Sequence, residues 1–128
     1  MAEFAPTVQR LEKTVFIVTA FDCEDTGERR DEFLEGHLEY VEKHSEEYLV
    51  SGPLRKPGET ELCGSFFMVA ADDAAHADRI VRGDPYFACG LYGRIEKREF
   101  TAAAGKWMGG VIWESAAQIR AATEAANG

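Results

Sequence analysis

His37 is the side chain in this sequence that is best suited to proton-transfer chemistry. It lies in residues 29–45, where Leu34, Leu38 and Val41 recur at helical spacing among acidic residues. The imidazole therefore lies on the apolar side of a predicted amphipathic helix. In a partly dry pocket an imidazole can take up and return protons near neutral pH. A histidine that only packs in the core gives the same pattern.

Asp84 is the acid that would suit such a histidine. It stands between Gly83, which is suited to the left-handed residue that ends a helix, and Pro85, so its carboxylate lies in a constrained loop. A carboxylate that accepts a hydrogen bond from an imidazole fixes the tautomer and stabilises the charged ring. Capping of a turn is the alternative role for Asp84, and the sequence does not decide between the two.

Three further residues are candidates for contacting a substrate. Arg30 stands near the start of the predicted helix, and Ser51 and Gly52 end a predicted strand before a proline. Arg30 could bind an anionic substrate, and Ser51 could donate a hydrogen bond to a ligand. A solvated surface arginine and a serine that satisfies a neighbouring backbone group are the alternatives.

The histidines do not form a metal-binding pattern. His37 and His44 are seven residues apart on one predicted helix, a rise of about 10 Å, which is too far to share a metal. His76 would have to join from another helix, and neither HExxH nor a two-histidine, one-carboxylate spacing occurs. The sequence also lacks GxGxxG, Walker and GxSxG motifs. We therefore expect no metal and no cofactor.

The composition excludes several classes of partner. The 128 residues include 14 Lys plus Arg and 23 Asp plus Glu, a net charge of -9, which repels nucleic acid and anionic lipid. The longest apolar stretches are too short to span a bilayer. Three widely spaced cysteines predict reduced thiols, and the absence of a secretory signal pattern predicts a cytoplasmic protein.

Periodicity along the chain predicts one α+β domain of order β-α-β-β-α-β. The predicted elements are a strand at 14–21, a helix at 29–45, strands at 48–54 and 64–71 joined as a hairpin, a helix from 72 or 73 to 82, a loop at 83–86 and a strand at 92–100. This order is the ferredoxin-like arrangement, in which two helices cover one face of an antiparallel sheet.

The uncovered face of that sheet is predicted to be apolar. In the first strand Val15, Ile17 and Thr19 point to one side and Phe16 and Val18 to the other. A monomer would expose a large apolar patch. We therefore expect a homodimer that packs sheet against sheet.

The ends of the chain lie outside this arrangement. We divide the sequence into an N-terminal extension at 1–13, the domain at 14–104 and a tail at 105–128. The tail has an apolar segment, 107–113, and then an alanine-rich stretch that predicts a C-terminal helix. The apolar segment could pack over the dimer or a pocket mouth, or the helix could cover its own subunit.

Four motifs together resemble those of the YCII-related (YciI-like) family. They are the strand Phe16-Ile17-Val18-Thr19-Ala20, Arg30 followed by His37-Leu38, Ser51-Gly52-Pro53-Leu54, and Asp84-Pro85-Tyr86 followed by Gly90-Leu91. The resemblance implies a ferredoxin-like dimeric α/β barrel, similar to muconolactone isomerase-like proteins, without a prescribed cofactor. It also implies a histidine and aspartate pair in the active site, which falls on His37 and Asp84.

These observations lead to two hypotheses about function. In the first, a lyase or isomerase without a cofactor uses His37, oriented by Asp84, to move a proton on a cyclic or aromatic-derived small molecule. Arg30, Ser51 and Gly52 would then stabilise negative charge, and Tyr86 and Tyr92 would line the pocket. In the second, a non-catalytic binding or accessory protein uses the same dimer cavity.

Overall fold

The computed structural model describes residues 12–127, so the predicted N-terminal extension lies almost wholly outside the described residues. The elements are β1 Thr14–Asp22, α1 Gly27–Glu32, α2 Leu34–Lys43, β2 Tyr48–Arg55, β3 Leu62–Ala71, α3 Ala74–Arg82, α4 Pro85–Ala88, β4 Tyr92–Phe100, β5 Ala104–Gly105, β6 Gly110–Val111 and α5 Ala116–Asn127. Within the described residues, no helix combines the length and the apolar character that a membrane crossing requires.

The chain forms two compact units. The first, Lys13–Phe100, is built on a four-stranded antiparallel sheet of order β2-β3-β1-β4. This order confirms the predicted ferredoxin-like α+β arrangement. The second unit contains the chain from Thr101 onward, with the short β5 and β6 hairpin and helix α5. The predicted C-terminal helix is therefore confirmed.

The core of the first unit lies between the sheet and its helices. Val18 of β1 pairs with Phe67 of β3, and Phe16 pairs with Val69. All four side chains are buried, and Ile80 of α3 belongs to the same cluster. Each such side chain contributes about 1.5–3 kcal/mol when it is removed from water. The alternation of strand residues thus fixes which face of the sheet the helices cover.

The other face of the sheet is apolar as predicted. Ile17 pairs with Met68, and Thr19 pairs with Phe66, on the side opposite to the core residues. These four side chains are half-buried. Large apolar side chains therefore continue across the two central strands on both faces.

The prediction of one continuous helix at 29–45 is wrong. The structure has two helices, α1 and α2, separated at Phe33, whose φ of -100° and ψ of 7° lie between the allowed helical and extended regions. Leu34 and Leu38 are 43% and 49% exposed, so their predicted inward orientation is also wrong. Val41, the third of the predicted apolar positions, packs against the core together with Tyr40.

Asp78 connects helix α3 to the edge strand β4. Its carboxylate accepts hydrogen bonds from Arg82, one helical turn later, and from Lys97 on β4. Burial acts to raise the pKa of Asp78, but the hydrogen bonds and charges of Lys97 and Arg82 outweigh it and lower the pKa below its usual 3.8. The folded state therefore favours the ionised carboxylate.

We expect the stabilisation from Asp78 to be lost in acid. A carboxyl pKa that is lower in the folded than in the unfolded state contributes fully above about pH 4 and is lost as the pH falls through the folded value. Urea unfolding of the wild type and of Asp78→Asn should differ at pH 7 by up to about 1 kcal/mol, because this cluster is partly exposed. The difference should disappear near pH 2. A difference that is independent of pH would contradict the ionic account.

Candidate active site

The structure brings His37 and Asp84 into direct contact. The Nδ1 atom of His37 lies 2.6 Å from Oδ2 of Asp84, whose side chain is fully buried, whereas the His37 side chain is 16% exposed. A carboxylate can only accept, so Nδ1 carries the proton and donates it. The other ring nitrogen, Nε2, has no hydrogen-bond partner among residues 12–127. The pair therefore presents a basic nitrogen on a ring whose tautomer is fixed.

Helix α4 holds the carboxylate in place. Asp84 is its N-cap, with Oδ1 accepting from the backbone N–H of Tyr86 at 2.9 Å, and Pro85 occupies the first helical position. Proline suits this position because the missing N–H has no helical partner there. The predicted loop at 83–86 is thus wrong in its second half, where a turn of helix begins. Asp84 caps this helix and binds His37 at the same time.

Two glycines let helix α2 approach the turn that carries Asp84. A Cβ added to Gly36 would lie 3.3 Å from Cγ of Pro85, and one added to Gly83 would lie 2.8 Å from Cζ of Tyr40. The hydroxyl of Tyr40 donates to the carbonyl oxygen of Ile80, at the end of α3. The prediction that Gly83 is left-handed is wrong, since its φ is -71° and its ψ is -14°. Glycine fits there because the Tyr40 ring occupies the space of a side chain.

Arg30 is held inside the protein by an ion pair. Its guanidinium donates to both carboxylate oxygens of Asp22, at 2.8 and 3.2 Å, and Nη2 also donates to the carbonyl oxygen of Gly64 and to Oγ of Ser65. Burial acts to lower the pKa of Arg30, but the hydrogen bonds and charge of Asp22 outweigh it and raise the pKa. Asp22 and Ser65 were not predicted as partners, because no local spacing in the sequence connects them to Arg30.

Tyr86 lies between the two polar pairs, and Tyr92 contacts it. The Tyr86 ring stacks on His37, and its hydroxyl donates to the carbonyl oxygen of Arg30 at 3.0 Å. The edge of Tyr92 meets the Tyr86 ring, and its hydroxyl donates to Ser65 Oγ at 2.7 Å. Burial raises the pKa of both tyrosines. Both phenols therefore remain neutral donors at physiological pH.

Ser51 and Gly52 lie on the edge strand β2. Ser51 pairs with Phe67 and Gly52 with Phe66 on β3. In the part of the chain that the structure describes, no hydrogen bond or ring contact joins either residue to His37. A Cβ at Gly52 would meet open space. The roles predicted for Ser51 and Gly52 in substrate binding stay predictions.

A cleft of about 640 Å³ lies beside the Arg30 and Asp22 pair. Its lining has six carboxylates and two cationic side chains: Asp22, Glu24, Asp25, Asp31, Glu59 and Glu61 against Arg30 and Lys56. An anionic ligand would meet net repulsion there. Of the predicted site residues, Arg30 alone is among the described residues that line the cleft, and the His37 and Asp84 pair lies outside it. No group of three or more described His, Cys, Asp or Glu residues is placed to hold a metal ion.

Fold and site together define an α+β protein of ferredoxin-like topology with a buried carboxylate paired to a half-buried histidine. The YCII-related domain matches this sequence over residues 14–101, so the chain belongs to the YCII-related family. This confirms the resemblance noted from its motifs. A comparison with curated proteins finds no match.

The solved structures that match this chain include a dehydrochlorinase. It is the 5-chloro-2-hydroxyhydroquinone dehydrochlorinase from Burkholderia phenoliruptrix AC1100, in complex with 2,5-dihydroxybenzoquinone. The two chains are 23% identical, with a TM-score of 0.64 over 73% of this chain and 97% of that chain. The similarity confirms the α+β fold.

Adding a methyl group at Gly83 should separate helix α2 from Asp84. In Gly83→Ala the new Cβ overlaps the Tyr40 ring, and such overpacking costs about 1–3 kcal/mol in the free energy of unfolding. The matched control is Gly27→Ala, because no atom lies within 4 Å of the added Cβ. Denaturant unfolding of both variants measures the effect. Equal stabilities would show that the close approach of Tyr40 is not required.

Proposed function

We propose that this chain is a lyase or isomerase that needs no cofactor and moves a proton on a small cyclic or aromatic-derived molecule. His37 acts as general acid and base, and Asp84 orients it. The observation that carries the proposal is the 2.6 Å contact between Nδ1 of His37 and the fully buried carboxylate of Asp84. Structural packing alone does not require a charged group in such a dry position.

The contact supports a defined proton transfer. Nε2 of His37 takes a proton from a carbon next to a carbonyl, or from a phenolic oxygen, and the electron pair of the broken bond moves onto the substrate as an enolate or phenolate. Asp84 stabilises the imidazolium that forms. In an isomerisation the proton returns to a different atom. In an elimination the leaving group departs with its bonding pair, and the imidazolium then releases its proton to solvent.

The comparisons support a ring-derived substrate. The structurally similar protein from Burkholderia phenoliruptrix AC1100 is a dehydrochlorinase that acts on a chlorinated hydroxyhydroquinone. Loss of hydrogen chloride from such a ring is an elimination of the type described above. Ser51 and Gly52, with open space beside Gly52, are proposed contacts for the substrate.

Replacing His37 should strongly lower turnover, and glutamine is the replacement because its side-chain amide can still donate to Asp84. Chlorinated hydroxyhydroquinones are the first substrates to test, with chloride release as the measurement. General acid and base catalysis contributes about 10²–10⁴ in rate, so His37→Gln should lower kcat/KM by at least about 100-fold. The matched control is His44→Gln, because His44 is also a histidine of this helical region with its Nδ1 2.7 Å from a carboxylate, that of Glu47. We expect the control to keep the wild-type rate.

Chloride release also distinguishes an enzyme from a non-catalytic binding protein. A wild type that binds these compounds but returns every one of them unchanged would favour the non-catalytic binding protein. Equal chloride release by His37→Gln and His44→Gln would remove His37 from the reaction.

We also propose that the protein is a homodimer formed through the open face of its sheet. Ile17, Phe66 and Met68 supply a continuous apolar surface on that face. Two copies related by a two-fold axis would each cover the surface of the other. Burial of such a surface contributes about 25 cal/mol per Å² of apolar area.

A charge in the centre of this face should separate the subunits. Light scattering of the wild type should give about twice the chain mass of 14.2 kDa. Met68→Glu should give the chain mass with an unchanged circular dichroism spectrum, because a carboxylate is costly to bury without a partner. Leu38→Glu, at a 49% exposed helix position, is the control. A monomeric wild type at all concentrations would refute the dimer.

A further inference from the structure

Tyr86 contacts both members of the His37 and Asp84 pair. Its ring lies parallel to the imidazole, with 4.1 Å between centroids and 14° between planes. Its backbone N–H donates to Oδ1 of Asp84 at 2.9 Å. The residue is 1% exposed, so its ring is almost wholly enclosed by the protein. Two different parts of one residue therefore hold the histidine and the carboxylate.

The Tyr86 ring is itself fixed on its other sides. Its hydroxyl donates to the carbonyl oxygen of Arg30, and the guanidinium carbon of Arg30 lies 5.2 Å from the ring centroid. The edge of Tyr92 contacts it at 6.1 Å between centroids. Arg30 is held in turn by Asp22 and by the strand β3. Rotation of the Tyr86 ring would therefore break contacts to several elements.

A hydrogen bond at Nδ1 does not by itself fix the direction of Nε2. The second side-chain torsion of histidine is broad and roughly two-fold, so an imidazole can pivot about a single hydrogen bond. A stacked ring of known orientation removes that freedom, because the imidazole plane must stay parallel to it. The aromatic face also attracts the cation that forms when Nε2 takes a proton.

We propose that Tyr86 is the positioning residue of His37, with its stacked ring setting the direction of Nε2 and its backbone N–H holding Asp84. The effect on catalysis rests on the proposed function, whereas the effect on the imidazole does not. This role differs from the one predicted from the sequence, in which Tyr86 lines the pocket and contacts the substrate.

Three variants of the full chain test this role. Tyr86→Leu removes the stacked ring but keeps the backbone N–H to Asp84, and Tyr86→Phe removes only the hydroxyl that binds Arg30. Phe87→Leu is the matched control, because Phe87 is the next residue, packs against the core and makes a tilted ring contact with Phe67 and an edge contact with Tyr92. No ring contact joins it to His37 within residues 12–127.

The main readout is the imidazole Nδ1–H resonance of His37 in the resting protein, measured by NMR without any substrate. In Tyr86→Leu we expect exchange of this proton with water to accelerate at least about tenfold, because the hydrogen bond opens locally. Tyr86→Phe should retain the resonance. Phe87→Leu should retain it too, even though loss of a packed aromatic ring lowers the stability of both leucine variants. Equal exchange in Tyr86→Leu and Phe87→Leu would overturn the proposal.

Turnover gives the second readout. If chlorinated hydroxyhydroquinones are substrates, Tyr86→Leu should lower kcat about tenfold with little change in KM, since the lost interaction matters for the reaction rather than for binding. Tyr86→Phe should lose less kcat than Tyr86→Leu, because it keeps the stacked ring. If His37→Gln leaves turnover unchanged while Tyr86→Leu still accelerates proton exchange, the proposed function fails and the positioning of the imidazole by Tyr86 stands.

Discussion

The structure around the candidate site depends on the complete burial of the Asp84 carboxylate. An unpaired charge in such a position costs several kcal/mol, so both oxygens need donors. Oδ2 has the imidazole of His37, and Oδ1 has the N–H of Tyr86. Removing one partner of a buried pair typically costs about 3–5 kcal/mol, because the other charge stays behind. Asp84 therefore constrains the path of α2 and the start of α4 together.

The need to pair buried charges also explains the contact between Arg30 and Asp22. Arg30 and Asp22 are each about nine-tenths buried, and the guanidinium also binds Gly64 and Ser65 on β3. Their ion pair ties helix α1 to the two central strands of the sheet. Tyr86 separates this pair from His37 and contacts both. The two charged pairs thus share one rigid aromatic side chain, and movement in one helix is resisted by the other.

Local periodicity predicted the four strands of the main sheet and their order, and the resemblance to the YCII-related family implied the His37 and Asp84 pair. The sequence did not predict the break at Phe33, which has neither glycine nor proline beside it to mark a helix end. It assigned Gly83 to a left-handed cap, whereas the residue is right-handed and makes room for Tyr40. It also gave Arg30 no partner, since Ser65 is 35 positions away in the chain. Contacts across the fold decided the conformation of Gly83 and the partners of Arg30.

The charge of the protein bears on which form of a substrate reaches His37. With a net charge of -9 and a cleft beside Arg30 that carries six carboxylates, the protein repels anions over distances comparable to the Debye length of about 8 Å. Beside His37 on helix α2, Leu34 and Leu38 are exposed and carry no charge. For the hydroxylated ring that we propose as substrate, the neutral form is therefore favoured over the ionised form. The proposed general base, His37, requires that protonated form, so the acidic surface and the proposed mechanism favour the same species.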